Sequence, residues 1–291
     1  MPPVPPKIQE LSFKDFYGLK SPDTVGLMYG QKKIISTAIQ PALLARLKKT
    51  FALHGLKFKI LNATHDYRAR QNTFIISKKA EYLEMASEAY AKNRFDVIGM
   101  LLGYPACCVK AHFARVKSGG AGAANYIRRC AGARDEFFWP INNILDFDGR
   151  LVGPKAPRLD FASLRPISLI SHNPCSYGCV ASLRIAETNL LNIMRHKSAL
   201  DRDSEYSLLA KPVLYLDDFN FAILEGTASG NSAAYSGTAQ LVGLKTGGKS
   251  VAAGDSISVA GKQLSIFKKG RRIFKAELPA APLILPFDRH A

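Results

Sequence analysis

The hydrophobic pattern of the chain changes near residue 210, and this change constrains the fold more than any other feature. Before it, apolar residues recur at helical spacing, as in Pro41–Leu53, and short alternating runs such as Leu56–Leu61 are typical of strands. After it, β-patterned segments alternate with glycine-rich turns, and no helix is expected. The pattern predicts an α/β or α+β domain over residues 1–205 and a small all-β domain, a barrel or sandwich, over residues 210–291.

Individual elements of the N-terminal part follow from the same periodicities. Thr73–Ile76 is predicted to be a short strand, and Lys79–Leu102 a single long helix. Pro105 follows a break and suits the first turn of a new helix. Ile167–Ile170 is predicted to be a strand, and Pro174 to begin a helix that runs to about Lys197.

Four of the five cysteines lie in two similar settings. The first is Gly103–Cys108, with the sequence GYPACC, and the second is His172–Cys179, with the sequence HNPCSYGC. Each places cysteine close behind a proline that is predicted to begin a helix. Unpaired N–H groups and the helix dipole favour a thiolate at such a position. Cys175 and Cys179 are four residues apart, so they would share one face of the second helix.

Two such helix N-termini that meet would assemble a site with up to four sulfur atoms. The candidate ligands are Cys107, Cys108, Cys175, Cys179 and His172. Four thiolates, or three thiolates and one imidazole, suit zinc or an iron–sulfur cluster. A redox or nucleophilic thiol site without metal, and purely structural cysteines, are the alternatives. The fifth cysteine, Cys130, is expected to be a buried structural residue.

The two cysteine segments together resemble a poorly characterised prokaryotic family. Its members carry a Gly-Tyr-Pro-x-Cys-Cys motif and a His-x-Pro-Cys-Ser-x2-Cys motif, which here are Gly103–Cys108 and His172–Cys179. The resemblance covers about residues 95–195 and leaves out the β-patterned part. It implies no particular activity.

The charge of the chain indicates the kind of partner. Lys and Arg number 40 against 23 Asp and Glu, and the first 200 residues carry +15 of the net +17. This excess favours anionic partners such as RNA. A basic turn contributes candidate phosphate contacts, although it could equally be a solvated hairpin tip; its basic residues are Lys268, Lys269, Arg271 and Arg272. The G-x4-G-K-S pattern at Gly243–Ser250 is expected to be a glycine-rich hairpin loop.

The cellular setting is expected to be the cytoplasm, without a membrane partner. The longest nearly apolar run is too short to cross a bilayer, and residues 1–7 lack the apolar region of a secretion signal. In a reducing cytoplasm the five cysteines would be thiols, metal ligands or catalytic groups.

The leading hypothesis is a metal-dependent enzyme with an iron–sulfur cluster, preferably 4Fe–4S, acting on an anionic substrate such as tRNA or other RNA. His172 and Cys108 would act in catalysis. Arg184 and Glu187 would bind a substrate carboxylate or transfer protons. The alternatives are a nucleic-acid-binding protein with a structural zinc site and a thiol oxidoreductase.

Overall fold

The computed structural model describes residues 19–39, 41–61, 73–117, 126–132, 136–146, 167–196, 206–244 and 247–288. The N-terminal segment 1–7 lies outside these residues. The described part forms two compact units. One takes its described residues from Met1–Gly119, Leu169–Asn173 and Arg184–Ala199, and the other from Gly120–Ser168, Pro174–Leu183 and Leu200–Ala291. The division into domains at 1–205 and 210–291 stays a prediction.

The first unit contains a small antiparallel sheet. Its early elements are helix α1 (Ser21–Met28), strand β1 (Ile35–Ala38), helix α2 (Pro41–Leu53), and strands β2 (Lys57–Leu61) and β3 (Thr73–Ser77). The strands lie in the order β1–β3–β2, and β3 is the central one. The structure therefore confirms the helix and both strands that the sequence predicts in this region.

Strand β3 is buried on both of its faces. Phe74 and Ile76 pack with Leu47 and Phe51 of α2 on one face. Ile75 points the other way, as successive strand residues do, and belongs to a second core cluster. That second cluster draws its side chains from the helices that follow the sheet.

The single helix predicted over Lys79–Leu102 is wrong, because two helices occupy this stretch. They are α3 (Ala80–Ala91) and α4 (Phe95–Leu101). Asn93 between them has a φ of 54°, in the left-handed region that asparagine tolerates better than most residues. This conformation ends the first helix. Helix α5 (Ala106–Lys117) follows and confirms the predicted start near Pro105.

The stretch before the next long helix is irregular. The strand predicted at Ile167–Ile170 is not formed, although these apolar side chains are buried. The Leu169 carbonyl accepts a hydrogen bond from the Asn189 side chain (2.8 Å) instead of a neighbouring strand. The helix predicted from Pro174 begins only at Val180, as α7 (Val180–Met194). The short helix α6 (Tyr126–Ala131) precedes this region in the chain.

A seven-stranded antiparallel sheet dominates the C-terminal part. Its strands are β4 (Val213–Asp217), β5 (Asn220–Ser229), β6 (Ser232–Val242), β7 (Ser256–Ala260), β8 (Gln263–Lys268), β9 (Arg271–Glu277) and β10 (Leu283–Leu285). They lie in the order β10–β4–β5–β6–β7–β8–β9. The chain is thus of mixed α/β type with a β-rich C-terminal part, while the barrel or sandwich stays a prediction.

One helix interrupts this sheet, contrary to the prediction of none. Helix α8 (Gly248–Ala253) follows Gly247, whose φ of 82° suits glycine. The hydroxyl of Tyr235 donates a hydrogen bond to the carbonyl of Val251 (2.8 Å), which ties the helix to the sheet. Across the described residues, the helices all fall short of the length and apolar character needed to cross a bilayer.

Candidate metal centre

Helix α5 presents the first two cysteines in its first turn. The carbonyl of Pro105 accepts a hydrogen bond from the N–H of Cys108 (2.9 Å), which begins the helical ladder. Gly103 turns the chain into this helix with a φ of +73°, and a side chain there would meet the Gln31 carbonyl oxygen at 2.5 Å. Glycine is therefore required at this position. Cys107 is exposed and Cys108 is buried.

Helix α6 holds the second cysteine segment in place. The carbonyl of Pro174 accepts hydrogen bonds from the Tyr126 hydroxyl (3.1 Å) and the Cys130 thiol (3.0 Å). The N–H of Tyr177 in turn donates to the Cys130 carbonyl (3.2 Å). The prediction that Cys130 is buried is confirmed, and its structural role stays a prediction. Its role in the loop could not be read from its spacing in the sequence.

The two segments bring four sulfur atoms together. The Sγ atoms of Cys107, Cys108, Cys175 and Cys179 all lie within 4.8 Å of one another. These four cysteines lie close enough to bind a metal ion, so the structure confirms the predicted cluster. The predicted reason is corrected, because Cys175 and Cys179 both precede α7 and do not share a helix face. A folded loop, and not helical spacing, brings their sulfur atoms together.

Four thiolates are a donor set that suits zinc or an iron–sulfur cluster. A metal–sulfur bond of about 2.3 Å places the sulfurs of a tetrahedral site about 3.8 Å apart. The Sγ atoms of Cys107 and Cys108 are 3.9 Å apart. The remaining sulfur–sulfur distances are at most 4.8 Å.

His172 is outside the four-sulfur set, although it lines the same cavity as Cys108. It is buried, and its ring lies 5.1 Å from the ring of Tyr104. Burial first, and then the positive charge of Lys32, lower the pKa of His172 to about 3, while Asp23 opposes the shift. The imidazole is therefore neutral near pH 7. Its predicted roles as ligand or acid/base stay predictions.

A buried ion pair supports the backbone next to His172. Lys32 Nζ lies 3.1 Å from Asp23 Oδ1 and donates hydrogen bonds to the Leu102 carbonyl and the Ser171 hydroxyl, both at 2.8 Å. Burial lowers the pKa of Lys32, and the charge of Asp23 raises it in opposition. Sequence reasoning missed this pair because neither residue belongs to a motif or a periodic pattern.

The remaining candidate residues lie on exposed surfaces. Arg184 and Glu187 are exposed on α7, and their catalytic roles stay predictions. The predicted basic turn is the tip of the β8–β9 hairpin, with Gly270 at a φ of +74°. Its four basic residues, Lys268, Lys269, Arg271 and Arg272, are all exposed.

Comparisons with known proteins do not assign the chain to a family. A scan against protein-family models finds no match, and searches of curated proteins and of solved structures find no significant match either. The resemblance over residues 95–195 to a prokaryotic family therefore stays a prediction.

Proposed function

We propose that the protein is a metalloprotein that binds one tetrahedral metal ion, with zinc as the favoured metal. The ligands are Cys107, Cys108, Cys175 and Cys179. The observation that carries the proposal is the limit of 4.8 Å on the distances among their sulfur atoms. Zinc prefers this ligand type and this tetrahedral arrangement.

The compactness of the set supports a single ion over the iron–sulfur cluster that the sequence favours. In a four-iron cluster each thiolate binds a different iron, so the thiolate sulfurs surround several metal atoms and bridging sulfides. Around one ion they share a single centre and lie closer together. The sulfur atoms here are already near the spacing that one ion requires.

A complete set of four protein ligands favours a structural role for the ion. Catalytic zinc sites keep one position open for water or substrate, whereas structural sites are closed by four side chains. The ion would hold the start of α5 and the loop of residues 174–179 together. Metal binding would then contribute directly to the free energy of folding.

Metal and acid-labile sulfide content tests this proposal. We would measure both in protein purified without oxygen, and in four variants that each replace one proposed ligand with serine. Cys130→Ser is the matched control, because serine keeps a hydroxyl donor for the Pro174 carbonyl. One zinc per chain in the wild type and the control, and a loss in every ligand variant, is the expected result.

Two results would overturn the proposal. Iron with equimolar sulfide, lost in the same variants, would replace the single ion with a cluster. The four cysteines would not form a metal site if all four ligand variants retained the metal. The same conclusion would follow if wild-type protein bound no metal when supplied with zinc under reducing conditions.

Binding of a nucleic acid is a second candidate function, supported by the exposed basic tip of the β8–β9 hairpin. Four positive side chains on one turn can contact the phosphates of a flexible strand. The test is fluorescence anisotropy with a labelled single-stranded RNA, comparing Lys268→Glu/Lys269→Glu with Lys48→Glu/Lys49→Glu on α2. Both double variants change the net charge by the same amount.

The hairpin variant should bind at least tenfold more weakly than the control variant and show a shallower salt dependence. If both variants lost the same affinity for RNA, the change in net charge alone would explain the loss. Unchanged binding in the hairpin variant would exclude this turn from the interface.

A further inference from the structure

A cavity of about 240 Å³ lies beside the metal centre and shares one residue with it, Cys108. Helices α4 and α5 form most of its wall, and residues 171–173 complete it. The apolar part of the lining consists of Phe95, Ile98, Leu102, Val109 and Phe113. An engineered cavity of about 150 Å³ accommodates benzene, so this one has room for a substituted ring.

The polar part of the lining determines the chemistry that the cavity can accept. Besides Cys108, the polar residues of the lining are Tyr104, His112, Ser171, His172 and Asn173. The Tyr104 hydroxyl already donates a hydrogen bond to the Ser171 carbonyl (3.0 Å). Among the described residues of the lining, none is Lys, Arg, Asp or Glu. A charged guest would lose its hydration, which is costly, and the buried Lys32 beside Ser171 already pairs with Asp23. The lining therefore favours an uncharged guest.

We propose that this cavity binds a small uncharged organic molecule, a single ring that carries one hydroxyl or carbonyl group. The ring would pack against the apolar side chains of α4 and α5. The polar group would reach a hydrogen-bonding group of residues 172 and 173. This site goes beyond the metal centre, with which it shares Cys108 alone among the described lining residues.

Three fluorinated probes test the proposal by ¹⁹F NMR titration. They are 4-fluorophenol, fluorobenzene, which lacks the polar group, and 4-fluorobenzoate, which carries a negative charge. We expect 4-fluorophenol to bind severalfold more tightly than fluorobenzene and at least tenfold more tightly than 4-fluorobenzoate. Zinc content is measured in the same samples, so a failure of the metal proposal is separately visible.

Two variants locate the bound probe. Val109→Trp fills the cavity, and His112→Trp places a bulky ring at an exposed lining position that should tolerate it. Met85→Trp, at an exposed position of α3, is the matched control. Each cavity variant should weaken 4-fluorophenol binding at least tenfold, and the control should not. Equal affinity for all three probes, or unchanged affinity in His112→Trp, would overturn the proposal.

Discussion

The sulfur atoms of Cys107 and Cys108 lie 3.9 Å apart although the two residues are adjacent in the chain. This distance is close to the edge of about 3.8 Å expected for a tetrahedral metal–thiolate site. Neighbouring residues on a helix point about 100° apart, so such a pair can contribute one edge of the tetrahedron. Only two further ligands are then needed, and the second segment supplies both of them.

Removal of the metal should lower the thermal stability of the protein. We expect a chelator to reduce the melting temperature by about 5 °C or more, since each kcal/mol lost corresponds to roughly 2–4 °C in a chain of this size. Differential scanning fluorimetry under reducing conditions measures the shift. The Cys175→Ser variant should melt at the lower temperature with or without the chelator. An identical chelator effect in that variant would contradict the assignment.

Asp23→Asn should destabilise the protein by about 3–5 kcal/mol near neutral pH, because it leaves the ammonium of Lys32 buried without its partner. Urea unfolding at several pH values measures the loss. The exposed pair Lys92–Glu88 offers a control, and Glu88→Gln should leave stability essentially unchanged. If both variants lost the same free energy of unfolding, the buried pair would contribute no more to stability than the exposed one.

The effect of Asp23→Asn should also depend on pH. Burial raises the pKa of the Asp23 carboxyl, but the charges of Lys32 and Lys20 and hydrogen bonds outweigh it and hold this pKa below its ordinary value of 3.8. The unfolded chain therefore takes up the proton first as the pH falls. The stabilisation is complete above about pH 4 and is lost below it. The difference between wild type and variant should narrow in that acidic range, and a constant difference would be contrary evidence.

Tyr126→Phe should weaken metal binding without preventing folding. It removes one of the two hydrogen bonds to the Pro174 carbonyl, next to Cys175. Tyr235→Phe removes a similar bond, to the Val251 carbonyl, in the C-terminal sheet. Each should cost about 1 kcal/mol of unfolding free energy. Competition with a chromophoric chelator should show a lower zinc affinity for Tyr126→Phe alone.

Gly103→Ala should be far more harmful than Gly270→Ala, although both glycines have a φ near 74°. A Cβ at position 270 meets nothing within 4 Å, so that variant should lose only the roughly 1–2 kcal/mol of a left-handed residue. At position 103 the Cβ also meets the Gln31 carbonyl oxygen at 2.5 Å. Chemical denaturation and zinc content should both report the larger effect, and equal losses would show that the backbone yields at this point.

The sequence was most informative about the cysteine pairs and least informative about the chain around them. The two segments in which cysteines follow a proline indicated which four sulfur atoms could come together. Helix α5 begins near Pro105, as predicted. The apolar run Ile167–Ile170 did not become a strand, because its backbone pairs elsewhere, with an asparagine side chain among others. Apolar side chains in a sequence indicate that a segment is buried. They do not indicate which groups form hydrogen bonds with its backbone.

The supporting residues of the site could not be predicted because their interactions are distant in sequence. Cys130 and Tyr126 act on Pro174 from more than 40 residues away. Asn93 ends helix α3 through its own backbone conformation, in a stretch whose hydrophobic periodicity continues. Neither these long-range hydrogen bonds nor this backbone conformation can be predicted from a local sequence pattern.

The separation of Cys108 and Cys175 in the chain has a consequence for the order of folding. Sixty-six residues lie between them, so closing this loop in an unfolded chain costs about 4 kcal/mol of entropy. Helix α5 can form from local contacts, whereas the loop of residues 174–179 depends on contacts with α6 that also span more than 40 residues. The four thiols should therefore meet late, and the rate at which the protein acquires its metal should follow the rate of folding, not that of diffusion of the ion.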